Sequence, residues 1–386
     1  MAKLAAIFLV NFLIVNLAYS QQETKTYYAG SGKRLVEVGV KEGIRNGQQL
    51  LYWSEGNLKS CTYYENGKKV GDSVEFWPNG RLQSRKKYKN GKLDGFIQNY
   101  AEEGWLQDDE FYVDGKLEGM ARFYYKNGAI KVERPYKNNK KEGVGRSYDR
   151  NGILLQEEPY SNDMLEGVAK VYYSQVDVPL DSLYTDEEKK KGDYRTGQLI
   201  AEVPYRDNTR NGIAKFYSQT GDLEEEVEYK DNKKNGTRKF YAKDSRLIAE
   251  SLYEDNILNG SLKRYYDTGT IQEEQAYVNG RLSGVARYYG KGGNLICEEP
   301  YADDKKDGSV KRYYSNEQLC LEQPYVNGTL EGTEYAYYEN GALKTAKPYK
   351  NGLVKGMWKF YDEDGKINAE GTFEDGKLVG SWRYYQ

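Results

Sequence analysis

The stretch YENGKKVGDSVEFWPNGRLQSRKKYKNGKLDG, running from Tyr64 to Gly95, decides the fold. Tyr64-Glu65-Asn66-Gly67-Lys68 leads to Gly71, and 24 residues later Tyr88-Lys89-Asn90-Gly91-Lys92 leads to Gly95. The same glycine recurs at Gly47, Gly119, Gly143 and Gly167, then at Gly212 and every 24 residues to Gly380. With this glycine as position 0, position 5 is aromatic in every copy, as in Phe76 and Tyr124. Position 9 is usually glycine, position 11 is always Leu or Ile, as in Leu82, and position 17 is Tyr, as in Tyr88, until Phe373.

Each copy therefore holds two short runs rich in aromatic and β-branched residues, each closed by a turn signal such as Asn-Gly. That is the signature of a β-hairpin. Glycine at this frequency disfavours helix, and no 3.6-residue periodicity survives. The expected fold class is all-β: an elongated single-sheet array of about fourteen 24-residue hairpin repeats. The length alone would suggest two or three domains, but the fixed period overrides that prior. Four segments follow. Residues 1–20 form a signal peptide, 21–173 and 197–386 are repeats, and 174–196 form an inserted loop.

A three-residue first turn pairs position 6 with position 10, and so position 5 with position 11. Side chains alternate faces along a strand. In that register positions 5, 11 and 17 share one face, and their columns would form the continuous core. Two further columns are charged. Position 3 is basic in ten copies, including Arg122, Arg146 and Arg287, and position 14 is acidic in ten, including Glu133, Glu157 and Glu298. The preferred register puts them on opposite faces. A one-residue slip would make them facing ion pairs, each contributing about 0.2–1 kcal/mol. Proline at position 16, from Pro135 to Pro348, marks a strand end or a place without a ladder partner.

The recurring Tyr-x-Asn-Gly-Lys-x-x-Gly, followed five residues later by an aromatic residue, resembles the bacterial MORN-variant repeat. Phe373-Glu374-Asp375-Gly376-Lys377 leading to Gly380 is a third clear instance. Asn138-Asn139-Lys140 and Asn162-Asp163-Met164 depart from the Asn-Gly form of the turn. The resemblance implies a string of hairpins acting as a binding or scaffolding module without catalysis. Some bacterial relatives carry an antitoxin label, so an immunity-type protein that occludes a toxin is an alternative reading.

Composition narrows the chemistry. The chain has 57 basic and 59 acidic residues, a balance that creates no global field for nucleic acid or an anionic membrane. It has no histidine, which removes histidine bases, nucleophile pairs and metal ligands together. Cys61, Cys297 and Cys320 lack metal or disulfide-framework spacing. Adjacent carboxylates such as Asp108-Asp109 and Glu157-Glu158 should point to opposite faces of a strand, which argues against a hydrolase pair. No catalytic residue, metal or cofactor is expected. Lys3, the apolar run Leu4–Leu17 and Ala18-Tyr19-Ser20 read as a secretory signal. The expected location is periplasmic, cell-surface or extracellular.

Between Gly167 and Gly212 the spacing is 45 residues instead of 24. The surplus carries Tyr184, Asp186, Glu187, Glu188, Lys189, Lys190 and Lys191, the first candidate residues for binding a protein partner, since loops on rigid scaffolds often carry function. Trp53, Trp77, Trp358 and Trp382 could stack on sugars or peptides, or pack within the sheet. The expected partner is an unknown protein, with no nucleic acid and no strong membrane binding. A glycan-binding module is a further alternative. Open end strands would permit self-association. Gly71, Gly95, Gly119, Tyr124, Leu82 and Tyr88 are read as structural repeat positions.

Overall fold

A computed structural model describes residues 23–174 and 196–385. The expected signal peptide and all but the two end residues of the expected inserted loop lie outside the described residues. So do Tyr184, Asp186, Glu187, Glu188, Lys189, Lys190 and Lys191. The described residues fall in two compact units, residues 23–166 with Ser174, and residues 167–173 with 196–385. Both are built from antiparallel hairpins, and no helix occurs among the described residues.

The copy at Gly119 shows the local rules. Strand Gly119–Tyr124 pairs with strand Ile130–Lys137. Between them Tyr125 N–H donates to Ala129 O at 2.8 Å, and Gly128 N–H to Tyr125 O at 2.9 Å. The loop is the expected three-residue turn, closed by Gly128 at φ 87°. The second turn of each copy has two residues with positive φ, as in Asn66 at 48° and Gly67 at 78°, the mark of a type I′ hairpin turn. Asn138-Asn139 (52° and 69°) and Asn162-Asp163 (50° and 73°) make the same turn without glycine. Asn and Asp tolerate the left-handed region, so these two copies are not exceptions.

Copies are tied to their neighbours through backbone and side chain alike. Within the first unit the second turns stack: Gly67 N–H donates to Arg45 O at 2.8 Å, Gly91 N–H to Lys69 O at 2.8 Å and Gly115 N–H to Leu93 O at 2.7 Å. Position 6 adds a staple. Trp53 Nε1 donates to Phe76 O at 3.2 Å and Trp77 Nε1 to Tyr100 O at 3.1 Å. In the second unit Tyr266 and Tyr314 hydroxyls donate to the carbonyls of Tyr289 and Tyr337 at 2.7 Å.

The expected face assignment is half right. Tyr124 does pair with Ile130, position 5 with position 11, but Phe123 then pairs with Val132 and leaves Lys131 unopposed. This one-residue bulge recurs between positions 11 and 13 in both units. Beyond it the remaining strand shows its other parity, as a bulge requires. Position 17 therefore lies on the face opposite positions 5 and 11, together with positions 2, 4, 13 and 15. That second face is the core: Ala121, Ala169, Val171, Ala201, Val203, Ala214, Val227, Tyr229, Ala286 and Val310 are buried there. The bulge also overturns the expectation for the charged columns. Position 3 directly faces position 14, as in Arg122↔Glu133 and Arg287↔Glu298.

A second irregularity explains the glycine and proline columns together. The ladder between copies breaks opposite position 16, where Pro135 has no N–H to give and its carbonyl instead accepts the Glu142 N–H at 3.0 Å. Gly143, at φ 109°, sits against that ring, and a Cβ there would stand 3.1 Å from Pro135 Cγ. The invariant glycine is thus the residue that fits the break.

Candidate interaction surfaces

The face bearing positions 3, 5 and 14 carries an alternating ladder of charge. In the first unit it runs Asp109, Arg122, Glu133, Arg146, Glu157. Arg122 lies 3.9 Å from Asp109 and 3.8 Å from Glu133, and Arg146 lies 3.9 Å from Glu133 and 3.0 Å from Glu157. Asp109 and Glu133 each also accept a tyrosine hydroxyl from position 5 of the next copy. Tyr124 donates to Asp109 at 3.1 Å and Tyr148 to Glu133 at 2.9 Å. The second unit repeats this with Tyr217 on Glu202 at 2.8 Å, Tyr241 on Glu226 at 2.7 Å and Tyr313 on Glu298 at 2.9 Å. The ladder binds copies to each other, and its charges are largely spent on that task.

Burial and the hydrogen bond to a carboxylate push the hydroxyls of Tyr148, Tyr217, Tyr241, Tyr265 and Tyr313 up to about 12. A folded-state value above the unfolded value of about 10 contributes stability that is complete below that pH and is lost as the pH climbs through about 12. Denaturant midpoints are therefore expected to fall steeply above pH 10. Tyrosinate absorbance will separate this from lysine titration, with the ladder tyrosines ionising near 12. Absence of any tyrosines ionising near 12 would contradict the ladder geometry.

Adjacent carboxylates do point apart. Asp108 takes the Asn99 amide at 2.6 Å on the core face, where burial raises its carboxyl, while Asp109 faces the ladder. Glu158 accepts Tyr160 at 2.8 Å on the core face, and Glu157 accepts Arg146 on the other. Cys61, Cys297 and Cys320 are free thiols, and burial raises those of Cys61 and Cys297. The four tryptophans singled out by sequence divide. Trp53 and Trp77 are the staples described above. Trp358 and Trp382 join Phe360 and Phe373 in a cluster on the core face, with ring centroids 5.0 to 5.8 Å apart, and Lys347 Nζ lies 4.2 Å from the Trp358 ring centre.

The ladder face also exposes apolar side chains that sequence reading passed over. They occupy position 1 (Phe96 and Val144 in the first unit; Val168, Ile213 and Met357 in the second) and position 16, as in Leu252. Their signal was the alternation 1, 3, 5 along one strand. The unrecognised bulge hid it, because it concealed which face was the core.

The family model described as MORN repeat variant matches residues 69–90, 117–138, 141–162, 210–231, 258–279, 306–327, 330–351 and 355–375. Each match runs from one second turn to the next and covers both strands of a hairpin. No curated protein matches the chain. Among solved structures, similarity is found to the crystal structure of TcdB2-TccC3 at 12% identity and a TM-score of 0.17, over 95% of this chain and 19% of that one. The crystal structure of TcdB2-TccC3-Cdc42 gives 10% identity and a TM-score of 0.15, over 93% and 24%. The chain spans about a fifth to a quarter of those chains, and at such TM-scores the likeness carries no argument. With eight of its hairpins matched one by one, the chain is a repeat protein whose hairpins are similar to MORN repeat variants.

Proposed function

We propose that this chain is a non-enzymatic, exported repeat protein that acts as a protein-binding or scaffolding module at the cell envelope. The observation that carries the reading is the ladder face. Exposed apolar residues stand there, Phe96 and Val144 in one unit and Ile213 and Met357 in the other, and Val144 shares its strand face with Arg146, whose charge is paired to Glu157 at 3.0 Å. Apolar anchors beside a polar surround are what a protein partner needs. Export is supported by the amino-terminal apolar run and the small-x-small motif that follows it.

The test is affinity capture from the native envelope fraction with three forms of the mature chain. These are the parent, a variant lacking residues 174–196, and Phe96→Glu with Val144→Glu. A protein held by the parent and lost from the double variant supports the ladder face. Loss with the deletion instead moves the site to the inserted segment. Equal capture by all three forms overturns both placements.

A further inference from the structure

The stacked second turns of the first unit present a row of single cations. Position 21 is lysine in four successive copies, Lys68, Lys92, Lys116 and Lys140, and all four are exposed. Two strands per copy space them roughly 9.6 Å apart. Each side chain is laid over the following turn. A Cβ on Gly91 would stand 3.6 Å from Lys68 Cβ, and one on Gly115 would stand 3.7 Å from Lys92 Cβ. The ammonium groups are also directed onto that turn: Lys92 Nζ lies 2.8 Å from Asp114, Lys116 donates to Asn138 Oδ1 at 2.9 Å and Lys140 to Asn162 Oδ1 at 3.3 Å.

The row is charged beyond what folding needs. Lys89 directly faces Lys92 across its turn, and Lys137 directly faces Lys140. Like charges placed opposite each other on paired strands destabilise them. Over these turns and their flanks, residues 65–70, 89–94, 113–118 and 137–142, eight residues are basic and five acidic, with Asp94, Glu118 and Glu142 bonded to the backbone of the next turn, although the whole chain has a net charge of −2. No polybasic run appears in the sequence, because the fold collects these lysines from positions 24 residues apart.

We propose that this row binds a linear acidic polysaccharide with one carboxylate in each two-sugar repeat. Spacing selects the polymer. Nucleic acid carries one negative charge per about 1.7 Å of duplex axis, so even two basic residues in each step of roughly 9.6 Å would leave most phosphates uncompensated. An extended acidic peptide rises about 3.3 Å per residue and would need an acid at every third position, which alternation sends to alternate faces. A single file of charges fits a thread, where a membrane surface would call for a broad patch. The site is separate from the ladder face and does not rest on the protein-partner reading.

The experiment measures binding of the mature chain to hyaluronate, which has one carboxylate per disaccharide, beside polygalacturonate, duplex DNA and anionic vesicles, at low and moderate salt. Hyaluronate should bind best. Binding should weaken at least tenfold in the variant Lys68→Gln, Lys92→Gln, Lys116→Gln and Lys140→Gln, and should fall with added salt. Lys233→Gln with Lys305→Gln, in the second unit, should leave it unchanged. Circular dichroism should show all variants folded. Equal binding by the fourfold variant, tighter binding of DNA or vesicles, or no binding of hyaluronate would overturn the proposal.

Discussion

Gly308→Val is expected to destabilise the chain by about 3–5 kcal/mol. The backbone at Gly308 has φ 118°, outside the range that L side chains adopt, and forcing one there costs about 1–3 kcal/mol. A Cβ would also stand 2.9 Å from Pro300 Cγ and 3.2 Å from its Cβ. A pyrrolidine ring cannot swing aside, so overpacking adds about 1–3 kcal/mol. Gly236 separates the two causes. Its φ is 115°, but its added Cβ would meet the flexible carboxylate end of Glu228, so Gly236→Ala should lose only the backbone contribution. Gly293, at φ 87° with nothing within 4 Å, should lose about 1–2 kcal/mol as Ala. Guanidinium midpoints for the three variants check the ranking. Equal losses would remove the proline contact from the account.

Glu298→Lys should cost about 3 kcal/mol. Glu298 lies 3.0 Å from Arg287, accepts the Tyr313 hydroxyl at 2.9 Å and faces Lys311 on its other side. The substitution sets three cations in file and strands a half-buried hydroxyl. The lost hydrogen bond to a charged group contributes about 1.5–3 kcal/mol and each cross-strand pair about 0.2–1 kcal/mol. Adding Arg287→Glu should recover only part of the loss, because the introduced lysine would still oppose Lys311 and Tyr313 would still lack its acceptor. A double-mutant cycle reads this directly, and 1 M salt should shrink the repulsive share. Full recovery by the paired swap would mean that the ladder is a set of isolated pairs.

Most of the architecture is legible in the sequence, because the signals that fix it are local. The three-residue turn around Gly128 and the type I′ turn at Asn66-Gly67 follow from residues adjacent in the chain. The identity of the core face is not legible. That depends on the bulge at position 12, whose occupants Lys131, Ile296 and Leu155 share no residue type. Without it, Tyr at position 17 falls beside Tyr at position 5. With it, the two columns part, and positions 3 and 14 become partners. The Asn138-Asn139 turn escapes any reading that requires glycine there. The lysine row escapes because its members are neighbours only once copies stack. The loop residues Tyr184 and Asp186 to Lys191, the sequence's own choice of site, fall outside the described residues.

The position 6 staples and stacked turns also bear on how quickly such a chain reaches its native state. Trp77 reaches Tyr100, 23 residues on, and Asn138 reaches back 20 residues to Glu118. Sheets usually form slowly because distant segments must first find each other. In each unit every hairpin instead closes on a partner one copy away, so the entropy of closing a loop is the same small amount at each step. Growth from any formed pair of hairpins then resembles zipping, and lengthening the array should slow folding far less than it would in a sandwich or barrel of equal size.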